Sequence, residues 1–286
     1  MAGKEKLIGS CLCGAVAYQS HQAHEQMWNC HCVNCRKASG VAFATWIKSA
    51  PAGFKWLRGG SAVASYDSSP ALRRAFCARC GSVLPAHHLA GDYMMLPAGG
   101  IATAHGLTPA ADLYNASAGT WYDDDTPCRQ ADLEADLRRC RHTGSCLCGA
   151  VTYTVTGQTD AIRACHCSRC RRRCGAGFFT GMPVLISDFQ LRGDTGALTS
   201  FALPDTQYYR YRFCRGCGTI LPGALPGTDR AVIAAGTLDS PPPVRLLYHI
   251  YCADRAPWVT LPAAQPCFDG RPPSDFDWRK TCAAPP

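Results

Sequence analysis

Short runs of β-forming residues, interrupted at close intervals by glycine and proline, dominate the pattern of hydrophobic and polar positions. The runs fall at residues 15–18, 41–47, 150–155, 178–180 and 208–213. Runs of this kind are typical of small antiparallel sheets joined by turns. One helical pattern spans residues 129–141, where Leu133 and Leu137 share a face and acidic residues precede basic ones. The pattern predicts a mainly β protein with one short linker helix.

A long internal repeat organises the chain. The octapeptide GSCLCGAV at residues 9–16 returns letter for letter at residues 144–151, an offset of 135. Two further motifs recur in the same order: CHCxxC at 30–35 and 165–170, and FCxxCG at 76–81 and 213–218, the last with an offset of 137. A repeat of this length has the size of a whole domain, so the sequence predicts two tandem copies.

The repeat divides the chain into four segments. We predict a first domain at residues 7–125, a partly helical linker at 126–141, a second domain at 142–262 and a proline-rich tail at 263–286. The acidic run at 123–125 marks the end of the first domain. The tail has no hydrophobic periodicity, which predicts an extended or partly disordered segment.

Composition bounds the environment in which the chain works. The chain has 286 residues, of which 47% are hydrophobic, 17% are charged and 20 are cysteine. No apolar run is long enough for a signal peptide or a membrane span, so we expect a cytoplasmic protein with no membrane association. In a reducing compartment, so many thiols are better explained as zinc ligands than as disulfides.

The first and third motifs predict one four-cysteine zinc site in each repeat. Two thiolates of a C-x-x-C turn can grip one ion, whereas the side chains of an extended C-x-C pair lie about 7 Å apart and need local bending to share it. A closed shell of four thiolates leaves no place for a substrate, so the role of these sites is predicted to be structural. The ligands would be Cys11, Cys13, Cys77 and Cys80, and Cys146, Cys148, Cys214 and Cys217.

The middle motif predicts a different kind of centre. It supplies three thiolates, from Cys30, Cys32 and Cys35 and from Cys165, Cys167 and Cys170. Three protein ligands and an open position are typical of catalytic zinc, and an exogenous thiol would fill the fourth position. The alternative is a fourth protein ligand, which would make these sites structural.

Other residues near the middle motif have weaker signals. His31 and His166 lie between ligating cysteines and are expected to point away from the metal. Cys174 could serve as a fourth ligand or a redox partner, but we favour an ordinary spare thiol. The remaining cysteines have no counterpart in the other repeat, and we expect no shared chemistry from them: Cys128, Cys140, Cys252, Cys267 and Cys282.

The order GSCLCGAV, CHCxxCR and FCxxCGxxL, followed by a late tryptophan, resembles the glutathione-dependent formaldehyde-activating enzyme family, which includes centromere protein V. The resemblance covers both copies. It implies a β-tent-like fold, a structural zinc held by the first and third motifs, and a second zinc held by the middle motif beside a glutathione site. The chain would then bind up to four zinc ions, with glutathione as cosubstrate.

The chemistry that the resemblance implies is that of a zinc-dependent carbon–sulfur lyase or synthase. Its substrate would be a glutathione adduct, such as S-hydroxymethylglutathione or a larger S-conjugate. Basic residues that follow the middle motif are candidates for binding the carboxylates of glutathione, although a solvated basic turn fits them equally well. They are Arg36, Lys37, Arg171, Arg172 and Arg173.

The net charge of +8 is also compatible with a second function. A zinc-stabilised module for chromatin or nucleic acid would also be basic. The basic residues are scattered, however, and the sequence has no basic arm or aromatic stacking motif. We therefore expect a small-molecule thiol or thiol adduct as the partner, and do not expect nucleic acid.

Overall fold

Each repeat forms a similar succession of short strands around one seven-residue helix in the computed structural model. The structure describes residues 6–21, 26–123, 126–136, 140–206, 209–242 and 244–282. Helix α1 of the first repeat spans Val33–Ser39. The strands of this repeat are β1 (Lys6–Ser10), β2 (Ala17–His21), β3 (Met27–Cys30), β4 (Ala44–Ser49), β5 (Phe54–Arg58), β6 (Val63–Ser69), β7 (Leu72–Cys77), β8 (Val83–His88), β9 (Tyr93–Pro97) and β10 (Asp112–Leu113).

A linker helix, α2 (Gln130–Asp136), leads into the second repeat, whose helix α3 spans Ser168–Cys174. The strands of the second repeat are β11 (Cys140–Ser145), β12 (Val151–Gly157), β13 (Ile162–Cys165), β14 (Phe179–Leu185), β15 (Phe189–Gly193), β16 (Leu198–Ala202), β17 (Arg210–Cys214), β18 (Ile220–Leu221), β19 (Gly223–Ala224), β20 (Arg230–Ala234) and β21 (Leu246–Ile250).

Antiparallel pairing predominates in both repeats. The first repeat has a three-stranded sheet, β1-β2-β5, and a seven-stranded sheet, β10-β3-β4-β9-β8-β7-β6. The second has sheets β11-β12-β15, β19-β20-β14-β13-β21 and β16-β17-β18. Strand β10 pairs parallel with β3, and β21 pairs parallel with β13. The prediction of a mainly β fold with antiparallel sheets is confirmed, although one sheet is larger than expected.

The predicted strands are present with shifted ends. Strand β2 begins at Ala17, because residues 11–16 form the turn that carries the first motif. Strand β4 begins at Ala44, because the chain bends after Gly40, which adopts the left-handed conformation at the end of α1. Of the run at 208–213, residue 208 lies outside the described residues, and β17 accounts for the rest.

The helices differ more from the sequence prediction. The linker helix ends at Asp136, residues 137–139 lie outside the described part of the chain, and residues 140 and 141 belong to β11. The predicted helical extent up to residue 141 is therefore wrong. Helices α1 and α3 were not predicted, because seven residues are too few to show a hydrophobic period. The sequence does mark the end of each helix with a glycine, Gly40 and Gly175. Both adopt the left-handed conformation, with a φ of 72°.

The two repeats pack face to face in a reciprocal arrangement. The amide of Gly99 donates to the carbonyl of Gly175 over 3.1 Å, and the amide of Gly236, its counterpart, donates to the carbonyl of Gly40 over 3.3 Å. One hydrophobic cluster contains buried side chains of both repeats, among them Tyr18, Leu84, Phe76, Phe213 and Ile220. The repeats therefore share a core, rather than having one each.

The C-terminal segment packs against the second repeat as far as the structure describes it. The indole Nε1 of Trp278 donates to Asp160 over 2.8 Å, and Trp278 is buried. A disulfide joins Cys282 to Cys128, which lies just before α2. Within the described residues, no helix has the length and apolar character needed to cross a membrane.

Candidate metal centres and thiol site

The first and third motifs of the first repeat bring four sulfur atoms together. The Sγ atoms of Cys11 and Cys13 are 3.5 Å apart, and those of Cys13 and Cys77 are 3.8 Å apart. With Cys80, all four lie within 4.8 Å of one another. The chain supplies the bend that this requires, because the amide of Gly14 donates to the carbonyl of Cys11 over 3.2 Å and closes a turn.

The second repeat reproduces this cluster. The Sγ atoms of Cys146 and Cys148 are 3.4 Å apart, and those of Cys148 and Cys214 are 3.7 Å apart. Cys217 completes the group within the same 4.8 Å limit. The positions predicted as structural ligands in both repeats are therefore brought together.

In each four-cysteine cluster, a hydroxyl group connects the first motif to the third motif. Its residue is not part of either motif. The amide of Leu12 donates to Ser82 Oγ over 3.0 Å, and this hydroxyl lies 3.1 Å from Cys80 Sγ. In the second repeat the amide of Leu147 donates to Thr219 Oγ1, which also accepts from Cys217 over 3.3 Å. Ser82 and Thr219 occupy equivalent positions in the two repeats. A hydroxyl group is therefore repeated in the sequence, but the different residue types conceal the repetition.

The spacing of the sulfur atoms fits zinc. Zinc–sulfur bonds of about 2.3 Å separate the corners of a tetrahedral shell by about 3.8 Å. The measured separations in the four-cysteine clusters, 3.4–3.8 Å, are close to that value. Thiolates are also the ligands that this ion prefers in structural sites.

The middle motif forms a three-cysteine cluster at the start of each helix. Cys30 ends β3, and its Sγ lies 3.6 Å from that of Cys32, the residue that caps α1. The amide of Cys35 donates to Cys32 Sγ over 3.4 Å, which fixes the third cysteine one helical turn onward. The second repeat has the same distances with Cys165, Cys167 and Cys170. Each trio lies within 4.8 Å, so these predicted ligands also converge.

The last sulfur of each three-cysteine cluster is the most acidic. Hydrogen bonds from the thiols of Cys30 and Cys32 hold the pKa of Cys35 well below its usual range, and the positive charge of Arg74 adds to this effect. Hydrogen bonds with Cys32 and Cys35, together with burial, raise the pKa of Cys30 above its usual range. The pKa of Cys170 is lowered in the same way by its two cysteine neighbours. Each cluster therefore carries a negative charge to which a cation is attracted.

The histidines between the ligands point into the interface between the repeats. The ring of His31 lies 4.9 Å from that of Phe43, the ring of His166 lies 5.3 Å from that of Phe178, and the two phenylalanines contact each other. Burial, together with His249, lowers the pKa of His166 to about 3, so its ring is neutral. Among the described residues, neither histidine belongs to a group that could hold a metal ion, and both are buried.

Three of the five basic residues after the middle motif have polar partners within the chain. Arg36 and Arg171 each donate through Nε to the carbonyl of the histidine five residues earlier, over 3.2 and 3.1 Å. Lys37 pairs with Asp239 of the second repeat. Arg172 is half-buried and lies near Tyr18 of the first repeat. Arg173 is buried, at 6% exposure.

The additional cysteines stay outside the metal-ligating groups. Cys174 is buried, and its thiol lies 3.5 Å from the carbonyl of Phe178, where burial raises its pKa to about 11. Cys128 and Cys282 form the disulfide, which no sequence pattern predicts, since 154 residues separate them. The spare-thiol interpretation of Cys174 therefore fits its position.

Comparison with known proteins places these motifs. A crystal structure of a Rhodobacter sphaeroides protein is similar to part of the chain, with 17% sequence identity and a TM-score of 0.32, covering 37% of this chain and 98% of that one. The sequence also matches the family of the glutathione-dependent formaldehyde-activating enzyme over residues 6–117 and again over residues 141–254. Each matched region contains all three cysteine motifs. The chain therefore belongs to the glutathione-dependent formaldehyde-activating enzyme family, as two tandem copies.

Proposed function

We propose that the protein makes and breaks the carbon–sulfur bond of a glutathione adduct, such as S-hydroxymethylglutathione or a larger S-conjugate. In the forward direction the thiolate sulfur attacks the carbonyl carbon, the carbonyl π electrons move to oxygen, and that oxygen takes a proton. No oxidant or reductant is needed. The reverse reaction expels the thiolate and regenerates the carbonyl. This is the activity of a carbon–sulfur lyase or synthase.

The observation that carries the proposal is the contrast between the two kinds of cluster. The four-cysteine clusters form complete shells, whereas the middle motif brings together three sulfur atoms and, within the described residues, no fourth His, Cys, Asp or Glu ligand atom. A position left for an exogenous ligand distinguishes a working zinc site from a structural one. A zinc ion bound there would stabilise the thiolate of glutathione over its thiol.

The sheet edge beside Cys30 carries exposed side chains in the first repeat. Leu113 pairs with Cys30 across strands β10 and β3, and its carbonyl accepts from the amide of His31 over 2.9 Å. Around this edge the large apolar side chains stay exposed: 46% for Val33, 41% for Leu113 and 65% for Tyr114. An apolar rim of this kind beside the sulfur atoms is suited to binding the organic part of a ligand.

The corresponding edge of the second repeat is covered by the chain itself. Ile250, the counterpart of Leu113, is only 8% exposed. The amide of Tyr251 donates to the carbonyl of Gly270, and the amide of Cys252 donates to the carbonyl of Phe268, each over 2.9 Å. The C-terminal segment therefore lies where the first repeat has its open rim. We propose that the substrate is bound at the first three-cysteine centre.

Two matched variants test this proposal. Cys32→Ser and Cys167→Ser remove the half-exposed sulfur of the first and second centre, respectively. The rate at which formaldehyde and glutathione exchange with S-hydroxymethylglutathione, followed by NMR, is expected to fall to the uncatalysed rate in C32S and to stay near that of the wild type in C167S. An unchanged rate in C32S would contradict the assignment to the first centre. A wild-type protein that neither accelerates the exchange nor binds glutathione would contradict the function.

A further inference from the structure

A buried arginine accompanies each three-cysteine cluster. In the first repeat Arg74, on β7, is 5% exposed, and its Nη2 donates to Cys35 Sγ over 3.4 Å. In the second repeat Arg173, on α3, is 6% exposed and lies three residues after Cys170, on the same side of the helix. In the first cluster a guanidinium therefore contacts the third sulfur directly, and in the second a buried arginine follows the third cysteine by one helical turn.

The two arginines do not occupy equivalent positions. The counterpart of Arg74 is Tyr211, at the offset of 137 that relates the third motifs, and the counterpart of Arg173 is Ala38, at the offset of 135 that relates the middle motifs. One arginine comes from a strand and the other from the helix. Each repeat thus has a buried arginine associated with its three-cysteine motif, although a different position supplies it, and aligning the two repeats would not reveal this.

Each guanidinium is held by a different local arrangement. In the first repeat Arg74 Nε donates to Ser68 Oγ over 3.0 Å. In the second, the guanidinium carbon of Arg173 lies 4.1 Å from the ring centre of Phe179 and 4.7 Å from that of Tyr211, which occupies the place of Arg74. The two arginines are therefore buried by different contacts, one polar and one aromatic.

The usual explanation for a buried arginine does not apply. A buried guanidinium normally pairs with a carboxylate, since an uncompensated charge is costly to bury. Among the ion pairs of the described residues, neither Arg74 nor Arg173 contacts an aspartate or a glutamate. The Nε of Arg173 also lacks a hydrogen-bond partner. The anionic group that Arg74 contacts is the first cysteine cluster, and the second cluster ends one helical turn before Arg173.

We propose that Arg74 and Arg173 are positioning residues that offset the charge of the three-thiolate centres and so permit an anionic fourth ligand to bind. Three thiolates around a divalent ion carry one net negative charge, and an incoming thiolate adds a second. A guanidinium at the third sulfur offsets one of these charges in an environment where water does not screen it. The inference rests on the proposed function in one respect, that the incoming ligand is a thiolate.

The test uses the full chain loaded with cobalt(II), whose sulfur-to-metal absorption reports ligand binding without any turnover. Glutathione and 2-mercaptoethanol are titrated separately, since both supply a thiolate but only glutathione has carboxylates. The variants carry Cys167→Ser, so that the response comes from the first centre. In this background Arg74→Met is expected to weaken the binding of both thiols roughly tenfold, the loss of one charge-assisted hydrogen bond. The matched control is Arg73→Met, on the same strand but exposed and paired with Asp67.

Rescue variants distinguish the effect of the Arg74 charge on thiol binding from the effect of its packing. Adding Ala38→Arg to Arg74→Met supplies the guanidinium from the helix, as in the second repeat, and is expected to restore thiol affinity to within about threefold of the parent; Arg74→Lys is expected to restore it in part. If Arg74→Met binds both thiols as tightly as the parent, or if neither rescue variant recovers affinity, the inference is overturned. If the parent itself shows no response to thiols, the proposed function fails, which is a separate outcome.

Discussion

The hydroxyl of Tyr211 donates a 2.6 Å hydrogen bond to the carbonyl of Cys80, so a strand of the second repeat is bound to a turn that carries the four-cysteine cluster of the first. The glycine that follows the last cysteine of each four-cysteine cluster packs against a phenylalanine of the other repeat. A Cβ on Gly81 would lie 2.5 Å from the ring of Phe213, and one on Gly218 would lie 2.4 Å from the ring of Phe76. Each four-cysteine cluster is thus packed against the other repeat, and we expect the two repeats to unfold together.

The glycine contacts predict a matched pair of variants. Gly218 and Gly149 both have a φ of +76°, but the Cβ of an alanine would meet nothing within 4 Å at Gly149. Gly149→Ala should therefore cost only the backbone strain, about 1 kcal/mol, whereas Gly218→Ala should cost about 3 kcal/mol because Phe76 must also move. Denaturant unfolding measures both values. Equal losses would show that the repeats do not pack in this way.

The division between structural and open centres predicts unequal effects of two cysteine substitutions. Cys80→Ser breaks a closed shell at the interface and should lower the free energy of unfolding by several kcal/mol, in a single transition, because the metal contributes folding energy to both repeats. Cys32→Ser, at the half-exposed sulfur of the first open centre, should lower it by about 1 kcal/mol. The measurement is denaturant unfolding of the zinc-loaded chain. Comparable destabilisation by both substitutions would remove the distinction.

The linker helix supplies a third prediction. Asp132, on α2, is buried and accepts from Arg245 Nη2 over 2.7 Å and from its Nε over 2.8 Å. Asp132→Asn would leave the guanidinium inadequately compensated and should destabilise the fold by about 3 kcal/mol. The control is Asp67→Asn in the exposed pair with Arg73, where no measurable change is expected.

A double variant checks the reason for that loss. If the cost arises from the stranded charge, Asp132→Asn combined with Arg245→Met should be less destabilised than Asp132→Asn alone. Thermal unfolding of the three proteins gives the comparison. Additive losses would mean that the pair contributes through packing and not through charge.

The metal-ligating positions were predictable because each consists of local motifs that recur in the same order. The contacts between the repeats were not predictable from the sequence, because a repeated motif suggests two independent domains. Nothing in the sequence pattern shows that Phe76 packs on Gly218. Arg74 and Arg173 were missed as a pair for a related reason: a charge that moves between non-equivalent positions leaves no repeated letter. The helices after the middle motif were too short for periodicity, although Gly40 and Gly175 marked their ends.

The central claim is that each repeat has one closed four-cysteine zinc site and one three-cysteine zinc site, and that the three-cysteine site of the first repeat binds a thiol. Zinc content per chain, measured with and without glutathione on the purified protein, tests it most directly. The account predicts four ions per chain, two in each repeat. Two ions per chain under both conditions would mean that the middle motif holds no metal, and would contradict the account.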